Sequence, residues 1–436
     1  MNKKRNLIMM AVACMLTLTV SAQQARQDIR LHVDYAGSNY VAYPGPQKKL
    51  TAAPRGYEPF YISHYGRHGS RFLIGTNDYD KPYNMLLKAD SLGKLTPKGR
   101  DVLAKVKLIR EEARLRDGEL TPLGAEQHRG IAKRMYERFP EVFKGKTAVD
   151  ARSTIVIRCI LSMENELQQL ASMNPQLQIT HDASEHDMWY LNDSRSPYFR
   201  LRDNKETSQA NNEFSRRHDN WNHLMTVLFA DPDYAKTINA GSLARHLFTL
   251  ASNVQSTELR HQLSLWDIFT EDEIYDFWQK ENAGWYSYYG PNKTNNGAGM
   301  YTQSNLLRNI IATADTCITK VHPGATLRFG HEVCVMPLVC LLDLNHYGEP
   351  VDDLENLDDR GWNNYQIYPM GCNVQFVFYK PKKLSPNAGN VLVKVLLNED
   401  EATLPVGTDQ APYYKWQDVR SYYLKKLDDY QARYVK

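Results

Sequence analysis

The stretch Tyr61-Ile62-Ser63-His64-Tyr65-Gly66-Arg67-His68-Gly69-Ser70-Arg71 decides how this chain is read. Glu58 to Tyr65 is rich in aromatic and β-branched residues and predicts a strand, and Gly66 and Gly69 mark a tight loop at its end. The loop carries Arg67, His68 and Arg71. Three cationic or potentially cationic groups this close repel one another unless an anion lies between them. Phosphate suits that position, because the forked donors of arginine match its oxygens. A neutral imidazole between the arginines is then a nucleophile for phosphorus. Such combinations also occur as plain surface features. The strand-then-loop setting favours the phosphate reading, since open α/β sheets place ligands at the carboxyl ends of strands.

Upstream, residues 23–55 read as an irregular lead-in, with turns at Ala36-Gly37-Ser38-Asn39 and Pro44-Gly45-Pro46. Before them Lys3, Lys4 and Arg5 head an apolar run, Leu7 to Val20, that closes on Val20-Ser21-Ala22. This is the pattern of a signal peptide over residues 1–22, cleaved near Ala22, and it predicts an exported protein, periplasmic or secreted. Lipid attachment at Cys14 is the weaker alternative, because the apolar run before it is short and continues past it. Without those three basic residues the 53 Lys+Arg become 50, equal to the 50 Asp+Glu, so nothing in the charge supports a nucleic-acid partner. No later segment has the length of a membrane span. The later cysteines (Cys159, Cys317, Cys334, Cys340 and Cys372) form no C-x-x-C pair, which argues against a zinc cluster. Cys334 and Cys340 lie in an apolar run and read as core.

Downstream, Leu95-Thr96-Pro97 and Leu120-Thr121-Pro122 each set threonine at an N-cap and proline at the first helical position. The second helix aligns Ile131, Met135 and Phe139 toward a sheet, with Lys133, Arg134 and Glu137 turned away. Val149 to Ile157 predicts a strand ending at Arg158-Cys159, followed by a helix. From about 180 to 300 the chain becomes polar and mostly helical, with helix starts at Ser242 and at the capping box Thr270-Glu271-Asp272-Glu273. The aromatic cluster at 275–289 reads as packing, with stacking on a sugar-like ring as the alternative. Ala325 to Phe329 then predicts a strand that leads through Gly330 into His331-Glu332, and Asn373 to Tyr379 and Asn390 to Leu397 alternate as strands. The expected fold is α/β: a mixed central sheet flanked by helices, built from residues 23–179 and 301–436, with a smaller helical domain inserted at 180–300.

Arg67-His68-Arg71, Arg158 and His331-Glu332 thus share one description, a strand end bearing groups a phosphate would use. His68 is the expected nucleophile. Arg67, Arg71 and Arg158 would bind the phosphoryl oxygens. Glu332 is the candidate acid for the leaving alkoxide and base for water, and His331 a further donor. The arginines supply the positive charge, so neither a metal nor another cofactor is required.

With these motifs in place the sequence resembles the histidine acid phosphatases, which pair R-H-G-x-R near the amino end with a later His-Asp or His-Glu pair. Here they stand as Arg67-His68-Gly69-Ser70-Arg71 and His331-Glu332. Leu120-Thr121-Pro122-Leu123-Gly124 resembles the family's L-T-x-x-G helix start, and Arg158 falls where the family has its third phosphate-binding arginine. Within the family, Arg158-Cys159 and Met370-Gly371-Cys372-Asn373 are most similar to multiple inositol polyphosphate phosphatases. Two departures stand out. Phe72 occupies a place often held by proline, and His331 and Glu332 are adjacent where many members of that branch have an intervening residue. The second leaves the proton donor open between Glu332 and a carboxylate of the insertion such as Asp187. The resemblance implies a phosphomonoesterase acting through phosphohistidine on inositol polyphosphates such as phytate, in a cleft between the two domains. Arg195, Arg200, Arg202 and Lys205 would be available for further phosphates, or form a solvated charged face. The rival readings are a general acid phosphatase for small phosphomonoesters and a catalytically silent phosphate-ligand-binding protein.

Overall fold

The computed structural model describes residues 24–387 and 389–435. The expected signal peptide, its cleavage site and Cys14 lie outside them. Among the described residues eight strands form one mixed sheet: β1 (Tyr57–Arg67), β2 (Ala148–Ser153), β3 (Gln178–Ala183), β4 (Gly324–Gly330), β5 (Asn373–Pro381), β6 (Leu392–Leu397), β7 (Asp400–Ala402) and β8 (Tyr414–Lys415). The order is β3-β2-β4-β1-β5-β6-β7, with β8 beside β6. β1 to β4 run parallel, and β5 joins β1 antiparallel. Helices cover both faces. The α/β expectation therefore holds.

Alternation along β1 sorts its side chains between two cores. Ile62 packs with Ile131, Met135, Leu167 and Leu170 of the helices Pro122–Arg138 and Ile157–Met173. Tyr61 and Tyr65 pack on the other face with Leu307, Val339, Phe376 and Trp416. A third cluster joins Ala25 and Ile29 of the lead-in to the helices Thr76–Ser91, Pro97–Glu112, Ala240–Val254 and Glu271–Tyr289. Both Thr-Pro caps form, Gly99 N–H donating to Thr96 Oγ1 (2.9 Å) and Gly124 N–H to Thr121 Oγ1 (3.3 Å). The capping box at Thr270 and Glu273 closes in both directions. Each cap contributes about 1 kcal/mol, against about 1.5–3 kcal/mol for each large apolar side chain buried, so the apolar faces fix these helices and the caps fix where they begin.

Several local readings need correction. The second strand stops at Ser153, not Ile157: Thr154 N–H donates to the Phe329 carbonyl (3.0 Å), the chain leaves the sheet, and Arg158 falls in the first helical turn. β3 was not foreseen. Its residues are mostly exposed and carry no alternation. The helix expected from Ser242 starts at Ala240 under an Asn239 cap. Arg134 is only partly turned to solvent. It grips the buried Glu399 through two nitrogens, at 2.6 and 2.9 Å. All five cysteines among the described residues are free and buried, and no described helix is long and apolar enough to cross a membrane.

Candidate active site

Three strand ends meet here. β1 delivers Arg67 and His68, β4 delivers His331 and Glu332, and the chain leaving β2 delivers Arg158. Backbone bonds clamp the first loop: Arg67 N–H donates to Cys372 O (2.8 Å), His68 N–H to Gly330 O (3.0 Å) and Gly371 N–H to His68 O (3.0 Å). Gly69 N–H donates to Ser162 Oγ (3.2 Å) and Ser70 N–H to Gln127 Oε1 (2.8 Å). A Cβ on Gly69 would lie 2.4 Å from the Gly124 carbonyl oxygen, and one on Gly124 2.3 Å from the Ser70 carbonyl oxygen. The glycine of Leu120-Thr121-Pro122-Leu123-Gly124 thus has a steric purpose: the helix start lies directly on the loop.

The His68 ring is buried. Its Nδ1 lies 2.9 Å from the Gly69 carbonyl, an acceptor that requires Nδ1 to carry the proton and leaves the Nε2 lone pair free. Nε2 has no hydrogen-bond partner in the protein and stands 3.7 Å from Glu332 Oε2. Burial, then Arg67, Arg71 and Arg158, hold the imidazole well below its ordinary range, so it is neutral.

Around it the guanidinium groups are only partly satisfied. Arg67 donates to the carbonyls of Asn39 (2.6 Å) and Tyr368 (3.0 Å), and its Nε faces Glu332 at 3.0 Å. Arg71 donates to the Phe72 carbonyl and Arg158 reaches the Gly118 carbonyl at 3.5 Å. Arg67 Nη2, Arg71 Nε and Arg158 Nε are buried with no partner in the protein. An unpaired buried donor costs about 1–3 kcal/mol, so three at one point mark a place built for an anion. His331 accepts or donates at Thr154 Oγ1 (3.2 Å) and meets His68 edge to face, with ring centroids 5.7 Å apart. Burial pushes it down to about 4, against the pull of Glu332.

Glu332 begins the helix Glu332–Leu342 and accepts a bond from Asn39 Nδ2 (3.3 Å). Burial pushes its carboxyl up, but Arg67, Arg71 and His331 outweigh burial and hold it at about 2. His68, His331 and Glu332 bring ligand-type atoms within 4.8 Å of one another. Three converging guanidinium groups nevertheless make this a field for an anion, one that opposes a divalent cation.

Asp187, the other candidate acid, pairs with Arg152 (3.8 Å) and His186 (3.2 Å), so Glu332 is the carboxylate that meets His68. Arg195, Arg200 and Lys205 are exposed. Arg202 bonds Asp203 and lies over the rings of Phe199 (4.6 Å) and Tyr289 (4.8 Å). Asn39, Tyr368, Thr154, Gln127 and Ser162 were missed. They act through backbone carbonyls or as hydrogen-bond supports, and of them only Asn39 stands in a short motif quoted from the sequence.

The histidines give a pH expectation. His331 sits at about 4 and His64, buried under the loop, at about 3, against an ordinary 6.5. Groups depressed on folding contribute stability above the unfolded pKa and lose it as pH falls through the folded one. The melting temperature of the ligand-free protein should therefore fall as pH drops from about 6.5 toward 4. Calorimetry over that range tests this, and a flat profile would contradict the burial of these rings as neutral groups.

A mixed sheet that presents R-H-G-x-R at one strand end and His-Glu at the neighbouring one defines a histidine phosphatase. The model of the histidine phosphatase superfamily (branch 2) matches residues 66–398, and the chain belongs to that family. It is a phosphoric monoester hydrolase of the histidine acid phosphatase type. Its fold is that of Bifidobacterium longum multiple inositol polyphosphate phosphatase, solved with inositol hexasulfate (TM-score 0.75, 18% identity, 89% of this chain and 97% of that one) and with phosphate (TM-score 0.74, 19% identity, 90% and 98%). The phytase from D. castellii is also similar (TM-score 0.67, 14% identity, 91% and 85%). No curated protein matches the chain.

Proposed function

We propose that this chain is a metal-independent phosphomonoesterase that works through a phosphohistidine at His68 and acts on inositol polyphosphates such as phytate, in a cleft between the sheet domain and the helical part of 180–300. The observation that carries the mechanism is the free, buried Nε2 of His68 among guanidinium donors that lack partners. Nε2 attacks phosphorus and the bond to the alcohol oxygen breaks, while Arg67, Arg71 and Arg158 hold the three remaining oxygens. Glu332 gives the leaving oxygen its proton, then takes one from the water that cleaves the N–P bond and frees phosphate. An arriving phosphate dianion competes for Arg67 and Arg71, the groups that hold Glu332 ionised, so the carboxyl gains its proton as substrate binds. The substrate class is supported by the likeness to inositol polyphosphate phosphatase and phytase folds. Export before action is part of the same reading, from the pattern at residues 1–22.

The test is phosphate release from phytate and from p-nitrophenyl phosphate with chelator present, over about pH 4 to 8. Chelator-resistant release from both, with phytate favoured, is expected. Release from the aryl ester alone would leave a general acid phosphatase, and release from neither would leave a binding protein.

A further inference from the structure

A cavity of about 190 Å³ borders the catalytic centre, between the lead-in turn at 36–40 and the helices Ala240–Val254 and Glu271–Tyr289. Two of its wall residues also belong to the catalytic surroundings. Asn39 donates to Glu332 and receives Arg67 on its carbonyl. Tyr40 lies under the Arg71 guanidinium, with its ring 5.4 Å away. From the opposite wall the cavity receives Arg245, Glu281 and the ring of Trp285. Trp285 packs on Tyr368 at 5.0 Å, and the Tyr368 carbonyl is the other acceptor for Arg67. Asn39 and Tyr40 therefore stand between the cavity and the phosphate cradle, each touching both.

Its charges act on each other only through space: Arg245 and Lys280 attract the Glu281 carboxylate without bonding it. Among the described residues neither Arg245 nor Glu281 makes a hydrogen bond or an ion pair, although nearly every other charged group on these helices does. Lys280, beside Glu281 in sequence, is committed to Asp219 (2.5 Å). A cation and a carboxylate without hydrogen-bonded partners, in a cavity that an aromatic ring also lines, are poor use of a packing surface and good use of a binding one.

We infer that Arg245 and Glu281 form a distal subsite that reads the alcohol part of the substrate, Arg245 taking a second phosphate and Glu281 accepting a hydrogen bond from a free hydroxyl beside it. The preferred substrate is then a partly phosphorylated cyclic polyol. Guanidinium recognises phosphate by charge and by its paired donors. Burial raises the Glu281 carboxyl and Lys280 and Arg245 pull it back down; as a carboxylate it accepts only, so it suits a hydroxyl and repels a phosphate. On a fully phosphorylated ring, any pose that sets one phosphate on Arg245 turns another toward Glu281. Trp285 offers its face to the ring's C–H surface.

This inference rests on the inositol-phosphate reading, and the test separates the two. The kcat/KM values of wild type, Arg245→Met and Glu281→Gln are measured on inositol hexakisphosphate, on an inositol trisphosphate and on p-nitrophenyl phosphate, with melting curves to confirm folding. Wild type should favour the trisphosphate over the hexakisphosphate. Arg245→Met should lower kcat/KM for both inositol esters relative to the aryl ester on the order of tenfold, through KM. Glu281→Gln should move the trisphosphate-to-hexakisphosphate ratio toward unity by a similar factor. Wild-type turnover of inositol esters with ratios that neither variant shifts would overturn the subsite and leave the inositol-phosphate reading standing. Wild-type turnover of the aryl ester alone would overturn both.

Discussion

Replacing His68 with alanine lowers kcat on every phosphomonoester by on the order of 10⁴-fold or more. The expectation follows from the geometry of one ring. His68 commits Nδ1 to the Gly69 carbonyl and keeps Nε2 unpaired, while burial and three arginines hold the imidazole neutral. Among the described residues no rival candidate nucleophile stands at this point: His331 meets Thr154 and the sulfur of Cys159, and Cys159 is itself pushed up to about 12 by burial, which keeps it a thiol. Brief reaction with labelled substrate and an alkaline quench should leave label on wild type and none on His68→Ala. Residual turnover within tenfold of wild type would rule out His68 as the nucleophile.

The second large effect depends on the leaving group. Glu332→Gln should reduce kcat on alkyl phosphates by about 10²–10⁴-fold, and on p-nitrophenyl phosphate by much less, because a good leaving group departs without a proton. Equal losses on both esters would assign the proton to another residue. The substitution also removes the carboxylate facing Arg67 at 3.0 Å. Arg67 keeps its two carbonyl acceptors, so the variant should fold, and should bind inorganic phosphate at least as well as wild type, since a competing anion is gone.

What could be read from sequence, and what could not, divides along physical lines. β1 and its loop were legible because strand alternation, two glycines and an arginine cluster coincide within eleven residues. The helix starts at Thr96, Thr121 and Thr270 were legible because a cap is a local event. β3 was not, since an exposed edge strand has no apolar face to leave a pattern. Ile155 and Ile157 misled because β-branched residues favour strands, whereas the register ends where Thr154 bonds Phe329, and both isoleucines end up exposed. The candidate histidines and arginines could be singled out because their chemistry is in their side chains. Asn39 and Tyr368 did not, since much of what they offer Arg67 is a carbonyl that every residue has. Arg245 and Glu281 lie in helices whose charges are otherwise paired, so nothing in the sequence distinguishes them from a solvated face.

The position of β1 has a consequence for how the molecule is made. Its two neighbours, β4 and β5, both come late in the chain; Tyr61 and Thr326, joined by a hydrogen bond of 2.9 Å, are 265 residues apart. While the chain is being synthesised, the strand that leads into His68 waits with both edges open, and His331 and Glu332 have not yet been translated. Contacts this remote in sequence make folding slow, and open edges invite pairing with other chains. A nascent or truncated chain ending before β4 therefore carries His68 without His331, Glu332 or either strand partner of β1.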